Sequence, residues 1–365
     1  MIKFLDLKKI NAPYEAQFQE KLKTFFDKSW YILGDEVKKF ETNFANYNNA
    51  KYCIGVGNGL DALVLIFKAY IQLGKLKKGD EVIVPANTYI ASVLAILEAD
   101  LIPVLVEPEN ESFNLDSSLI QHKITSKTKA ILAVHLYGQL ADIESINAIA
   151  IKNNLLVIED AAQSHGAIHN SQLTTHNPKA YSFYPGKNLG AIGDAGAITT
   201  DDADLAKVLF SLRNYGSEKK YYNDLIGFNS RLDELQALFL NIKLPNLDAD
   251  NNKRRSIAKR YITEITNPKI KLPFWDLSNN HVFHLFVIRI QNREKLQAYL
   301  QVNGIESLIH YPIAPHKQKA FAAWNSLSFP ITEKIHDEVL SIPISPVLTE
   351  YEVSFIIQKL NRWIF

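Results

Sequence analysis

The spacing of apolar residues changes twice along the chain. Phe18, Leu22, Phe25 and Phe26 share one helical face behind Pro13, a favoured helix-start residue. Val37, Phe40, Phe44 and Tyr47 repeat that pattern after Gly34-Asp35. Short β-rich runs then follow at 52–56, 81–84, 103–106, 130–135, 155–159, 180–184 and 196–199. Several are separated by helical patterns of about ten residues or more, long enough for parallel crossovers. The expected fold is α/β: a mostly parallel seven-stranded sheet covered by helices, with ligands at the carboxyl ends of its strands. A helix over 231–247 reads as the exit from this unit. Another helix opens at Asn251-Asn-Lys-Arg-Arg255, followed by a strand over 284–290, a helix over 293–302 and a last helix over 349–363. The division predicted is a large domain over 1–247, including the N-terminal helices, and a smaller α+β domain over 248–365.

Composition narrows the function. The chain has 365 residues, 47% hydrophobic and 22% charged, with a formal net charge of +1. That is globular composition with no electrostatic case for nucleic acid or anionic membrane as partner. The single cysteine, Cys53, excludes an internal disulfide or a Cys-rich metal site and reads as a packed thiol in a buried strand. The opening Met1-Ile-Lys-Phe-Leu-Asp-Leu-Lys-Lys interrupts its apolar residues with charge. The apolar stretch over 91–106 contains Glu98, Asp100 and Pro103. Neither suits a targeting or spanning segment, so a cytoplasmic protein is expected. His281 and His284 lack a third ligand at useful spacing, so no metal site is expected and both read as core or interface histidines.

The chemistry concentrates in a few strand-end motifs. Lys187 lies in Ser182-Phe-Tyr-Pro-Gly-Lys187-Asn-Leu-Gly, downstream of Glu159-Asp160-Ala-Ala-Gln163. A carboxylate ending a strand, followed by an amine in a Gly/Pro loop, suits pyridoxal phosphate (PLP): Asp160 pairs with the pyridinium nitrogen and Lys187 forms a Schiff base with the aldehyde. Gln163 is placed to donate to the cofactor's phenolic oxygen, and Ser182 to add a hydroxyl to its phosphate. His165 stands behind the cofactor site or packs as a satisfied core histidine, the second being the reading preferred. Gly55-Val-Gly57-Asn-Gly59-Leu60 follows a strand and opens a helix, as a phosphate-binding turn does. A dinucleotide-binding turn would need a further glycine three residues beyond Gly57, which is absent; an ordinary βα turn stays open. Tyr89, in Pro85-Ala-Asn-Thr-Tyr89, stacks on an aromatic ligand or packs as a core tyrosine.

Together these segments, with Val134-His-Leu-Tyr-Gly-Gln139 and Gly227-Phe-Asn-Ser-Arg231-Leu-Asp-Glu-Leu-Gln-Ala237, resemble the DegT/DnrJ/EryC1/StrS sugar-nucleotide aminotransferases of PLP fold type I, nearly end to end. The resemblance implies that the amides of Gly59 and Leu60 hold the phosphate with Ser182, and that Tyr89 stacks on the ring. It also implies that Asn229 reaches the phosphate of a neighbouring subunit in a homodimer. Lysine at position 187, where some relatives carry histidine and dehydrate their substrate, favours amino transfer. Lys187-Asn-Leu-Gly-Ala-Ile-Gly-Asp-Ala-Gly196 is similar to members acting on a dTDP-linked 3-keto hexose, with L-glutamate the implied donor and pyridoxamine phosphate the other cofactor form. The product would be a dTDP-3-amino-3,6-dideoxyhexose. A 4-keto or UDP-linked substrate is the alternative within the family, and a non-catalytic PLP- or sugar-nucleotide-binding regulator the alternative outside it. Ile309-His310-Tyr311-Pro312 and Pro315-His316-Lys317 resemble the family's segment near the sugar nucleotide, which makes His310, Tyr311, His316 and Lys317 substrate candidates; a Pro-rich turn is the other reading. Tyr184, Tyr221 and Arg231 complete the candidates.

Overall fold

The computed structural model describes residues 1–169 and 176–364. Its main sheet is built from β1 (Tyr52–Val56), β2 (Glu81–Pro85), β3 (Ile102–Val106), β4 (Thr128–Val134), β5 (Leu156–Asp160), β6 (Lys179–Ser182) and β7 (Gly196–Thr200). The spatial order is β1-β7-β6-β5-β4-β2-β3. Strands β2 to β6 are parallel to their neighbours among them, and β7 runs antiparallel to both β1 and β6. All seven β-rich runs therefore form strands of one sheet. The run at 180–184 stops two residues early, because after Ser182 the chain leaves the sheet to build the Lys187 loop.

Both faces of the sheet's central strands are covered, which explains strands that read as continuous apolar runs. In β4, Ala130 and Leu132 enter one cluster with Val82, Val84 and the helices Gly59–Gln72 and Ile90–Glu98. Ile131 and Ala133 point the other way, against Ile83 and the Ile143–Asn153 helix. This two-residue alternation makes adjacent residues at a strand end serve different faces. Glu159 and Asp160 show the consequence. Glu159 turns to Lys179 at 3.3 Å and His135 at 2.9 Å, whereas Asp160 faces the cavity described below. Burial alone would raise the Glu159 carboxyl, but Lys179 and His135 outweigh it and hold it well below the usual range. Cys53 is buried as expected, and burial raises its thiol well above the ordinary value.

A second hydrophobic cluster surrounds an antiparallel pair, β8 (Phe286–Arg289) and β9 (Val339–Ile342), covered by the helices Leu247–Glu264, Arg293–Val302 and Glu350–Arg362. Pro245, in the one-turn Leu244–Asn246 helix, separates Glu234–Lys243 from Leu247–Glu264. The N-terminal residues depart from the expected division. Ile2 donates to Gly304 O, its carbonyl accepts from Glu306 N, and its side chain joins the second cluster. The expected helix behind Pro13 forms as Glu15–Lys28, yet none of its residues is buried within one chain and Phe26 is 58% exposed. No helix among the described residues is long and apolar enough to cross a membrane.

The two clusters are pinned together by Glu107, just past β3. Its carboxylate accepts from Ile331 N (2.8 Å), Thr332 N (2.9 Å) and Thr332 Oγ1 (2.6 Å), capping the Pro330–Glu338 helix from outside. Glu107→Ala is expected to unlatch that helix at a cost of about 1–3 kcal/mol. Hydrogen exchange should rise across 330–338 and stay unchanged in β4 and β5; equal loss of protection everywhere would show that the contact is not a local latch.

Candidate active site

A cavity of about 710 Å³ opens at the carboxyl ends of β4, β5 and β6, between the amino end of the Gly59–Gln72 helix and the second cluster. This is where a doubly wound sheet offers room for a ligand, and the volume suits a cofactor plus substrate. Asp160, Gln163, Ser182, Tyr184, Lys187, Gly59, Leu60, Tyr89, His310 and Tyr311 all line it.

Asp160 is held on both oxygens. Ser92 Oγ donates to Oδ2 at 2.8 Å and Ala162 N to Oδ1 at 3.1 Å, and Ser92 Oγ is itself 2.9 Å from Thr88 Oγ1. Ser92 escaped sequence reasoning. The available signal was a buried hydroxyl in the otherwise apolar run Ile90-Ala-Ser-Val-Leu-Ala-Ile, which needs a partner once folded.

Lys187 sits in a closed loop. Lys187 N donates to Tyr184 O and Ala191 N to Phe183 O, each at 2.8 Å. At Gly190 a Cβ would lie 2.3 Å from Pro185 O, so no larger residue closes this turn. Burial lowers the Lys187 amine from its ordinary 10.5 to about 8, against the opposing attraction of Asp160. The same amine disfavours charge on the nearby histidines, already neutralised by burial. His310 is lowered to about 4, His165 to about 3, and His284 well below its ordinary value. His165 is fully buried against the rings of Tyr181 and Phe183, the core position expected of it.

The phosphate-sized end of the cavity is a close approach of two backbones. Gly59 opens a 14-residue helix with Asn58 Oδ1 accepting from Asp61 N at 2.9 Å. A Cβ at Gly59 would stand 2.6 Å from Ser182 Cβ, so glycine is what lets the helix amides and the Ser182 hydroxyl face one point. Across the cavity, Gln163 Oε1 accepts from Tyr137 N at 2.6 Å and its Nε2 donates to Tyr311 Oη at 3.1 Å. The Tyr89 ring, 51% exposed, lies 5.1 Å from that of Tyr311. Ser341 Oγ meets His310 Nδ1 at 2.9 Å, and the Phe4 ring packs 5.6 Å from the His310 imidazole. Phe4, Leu5 and Ser341 were also missed, because only the fold brings them here.

Other candidates lie elsewhere in this chain. Asn229 is exposed and bridged to Asn214; Arg231 Nη1 donates to Asn214 Oδ1 at 3.0 Å with its guanidinium over Tyr215; Tyr221 is 85% exposed beneath Lys220. None of the three lines the cavity of its own chain. His316 and Lys317 require correction. His316 is fully buried with Nε2 3.0 Å from Glu333, and Lys317 Nζ donates to the carbonyls of Asn325 (3.0 Å) and Leu327 (2.8 Å). His316 Nε2 and the Lys317 amine are thus engaged in tying a turn together, and neither residue lines the cavity. His281 stacks on Phe283 at 3.7 Å and is a core residue, but His284 lines the cavity, against the expectation that both were packing histidines.

The residues fit pyridoxal phosphate. A neutralisable amine and a fixed carboxylate line one cavity, with a glycine-built anion cradle beside them. Residues 13–361 match the model of the DegT/DnrJ/EryC1/StrS aminotransferase family. The chain belongs to that family. It is 56% identical over 365 residues, covering 100% of this chain and 99% of the relative, to a dTDP-3-amino-3,6-dideoxy-α-D-galactopyranose transaminase of Aneurinibacillus thermoaerophilus. The structure superposes with a TM-score of 0.95 on DesV of S. venezuelae, solved with a ketimine intermediate, at 40% identity and covering 99% of this chain and 98% of that one. With NtdA of Bacillus subtilis, solved with its cofactor PMP, the TM-score is 0.91 at 32% identity, covering 98% and 83%. The cofactor, fold type and aminotransferase activity expected from the resemblance agree with these findings.

The lowered amine has a measurable consequence. In cofactor-free protein, an amine-acylating reagent should label Lys187 at a rate climbing about tenfold per pH unit and levelling above about pH 8, because only the neutral amine reacts. An ordinary solvated lysine would keep climbing to about pH 10. Labelling of Lys187 read by peptide mass spectrometry with that second profile would contradict the burial argument.

Proposed function

We propose that this enzyme moves an amino group from L-glutamate to the C3 keto group of a dTDP-3-keto-6-deoxyhexose, forming a dTDP-3-amino-3,6-dideoxyhexose. The observation that carries the reading is the Lys187 amine set against Asp160 in one cavity, together with end-to-end similarity to a transaminase named for such a product. Bound PLP would supply the electron sink that makes the donor's Cα–H acidic.

The chain's own residues do the rest. Lys187 Nζ anchors the cofactor covalently between turnovers and, once released, takes the proton from the donor's Cα as a base and returns one as an acid. Asp160, oriented by Ser92 and Ala162 N, holds a proton on the pyridine nitrogen. The amides of Gly59 and Leu60 and the Ser182 hydroxyl would hold the phosphate, Tyr89 would pack on the ring, and Gln163 Nε2 would donate to the phenolic oxygen. Tyr184, His310 and Tyr311 contact the sugar nucleotide.

Asn229, Arg231 and Tyr221 act in the neighbouring site of a homodimer, with Asn229 on the phosphate there. Exposed apolar side chains at Phe26, Trp30, Tyr221 and Ile226 support such an interface. A cytoplasmic setting suits the reaction, since both reactants are small polar metabolites.

Purified protein given glutamate and each keto-sugar nucleotide is expected to aminate the dTDP-linked 3-keto sugar, and Lys187→Ala to lose at least about a thousandfold in rate. Turnover of only a 4-keto or UDP-linked sugar would replace the proposed substrate. PLP binding without amino transfer to any acceptor would favour a regulator.

A further inference from the structure

The helix Glu234–Lys243 grips the loop that carries Lys187 at two points. Gln236 Oε1 accepts from Ile192 N at 3.0 Å, and Lys243 Nζ donates to the carbonyl of Gly190 at 2.8 Å. Positions 236 and 243 are two helical turns apart, so both side chains leave the same face. One supplies an acceptor and the other a donor to the returning limb of the loop. The approach is close: a Cβ on Gly193 would lie 2.9 Å from Gln236 Nε2. On the limb next to the amine, Asn188 Nδ2 donates to Asn251 Oδ1 at 2.8 Å and to the carbonyl of Val282 at 3.1 Å. Lys187 therefore stands between a tie at Asn188 and a tie at Gly190.

Burying an amine at position 243 is unfavourable unless its N–H groups are used. The side chain is buried, with Nζ 5.2 Å from the centre of the Phe239 ring and 5.8 Å from that of Tyr14. Its two hydrogen-bond partners are neutral oxygens, the Gly190 carbonyl and Asn11 Oδ1 at 3.2 Å. Burial lowers the amine to about 8, with Asp250 pulling it up and Arg254 pushing it further down. An apolar side chain would fill this place among Tyr14 and Phe239 without that penalty. It could not answer the Gly190 carbonyl, which has no other donor among the described residues. Charged or neutral, the amine keeps an N–H to give.

We propose that Lys243 is a positioning residue for the reaction: it holds the Gly190 carbonyl, beside Gln236 on Ile192 N, and so fixes the loop from which Lys187 acts. The inference rests on the function proposed above. Lys187 has to form a bond to the cofactor aldehyde, let go, exchange a proton with the donor's Cα and return to the same carbon. A loop tied on both limbs gives the amine one approach each time. Lys243 does not line the cavity, so it acts through the loop and not on a ligand.

The test starts from cofactor-free protein. Lys243→Met keeps the length of the side chain and removes the donor, so hydrogen exchange should rise about tenfold at the amides of 187–193 and stay unchanged in β5. When pyridoxal phosphate is added, the Lys187 nitrogen bonds to the aldehyde carbon and the aldehyde oxygen leaves as water. The rate of that attachment, read by borohydride trapping and peptide mass spectrometry, should fall about tenfold in Lys243→Met. Affinity for pyridoxamine phosphate, which forms no bond to Lys187, should stay within about twofold of wild type. Lys243→Arg keeps N–H donors and should recover most of the attachment rate. A packing role alone would lower the melting temperature of Lys243→Met and leave attachment at the wild-type rate, which overturns the proposal. An equal loss of pyridoxamine phosphate affinity also overturns it. Should Lys243→Met not fold, Gln236→Leu releases Ile192 N at a half-buried position and should slow attachment about threefold; unchanged exchange and rate there overturn the proposal. Wild-type protein that never attaches the cofactor at Lys187 would remove the function reading, while exchange over 187–193 would still decide whether Lys243 holds the loop.

Discussion

Everything the cavity can do depends on burying one amine opposite one carboxylate. Burial pushes Lys187 from 10.5 to about 8 even though Asp160 pulls the other way. That net displacement means desolvation outweighs the attraction by about 3 kcal/mol. The amine is thereby placed where it can be neutral enough to attack a carbonyl and basic enough to take a proton near neutral pH. Asp160 meanwhile keeps its position through Ser92 and Ala162 N, so the two groups face one another across a gap and the space between them stays available to a ligand.

The rest of the fold serves that separation. Asp160 ends β5 and Ser182 ends the neighbouring β6, and the Lys187 loop turns back over the strand ends through Gly190. Alternation along β5 sends Glu159 to Lys179 and His135, and Asp160 to the cavity, so adjacent acids have unrelated jobs. The second body closes the open side with His284, His310 and Tyr311, and Glu107 latches it to the sheet. Pocket walls from two hydrophobic clusters suit a large two-part ligand such as a cofactor with a nucleotide sugar.

Much of this is legible in the sequence. The strands announced themselves as β-rich runs between helical patterns, and Asp160, Gln163, Ser182 and Lys187 were found because they sit at strand ends or in the glycine loop just beyond. What could not be read was sequence-distant. Nothing in Ile2-Lys-Phe4-Leu5 says that the segment runs beside Gly304 and Glu306 and reaches the cavity. Ser92 is one hydroxyl in an apolar run and His284 reads as a core or interface histidine; only the fold sets them beside Asp160 and Asn188. His316 and Lys317 differ for the opposite reason: a motif near the right place suggested contact, but in the fold Glu333 and two carbonyls engage His316 Nε2 and the Lys317 amine in a turn away from the cavity. The apolar face of Glu15–Lys28 is legible as periodicity, yet none of its residues is buried.

The most direct measurement is to load the protein with pyridoxal phosphate, reduce it with borohydride and map the labelled peptide by mass spectrometry. The account predicts one pyridoxyl group per chain, on Lys187. Label on another buried amine such as Lys243, or label spread over surface lysines with Lys187 unmodified, would contradict it.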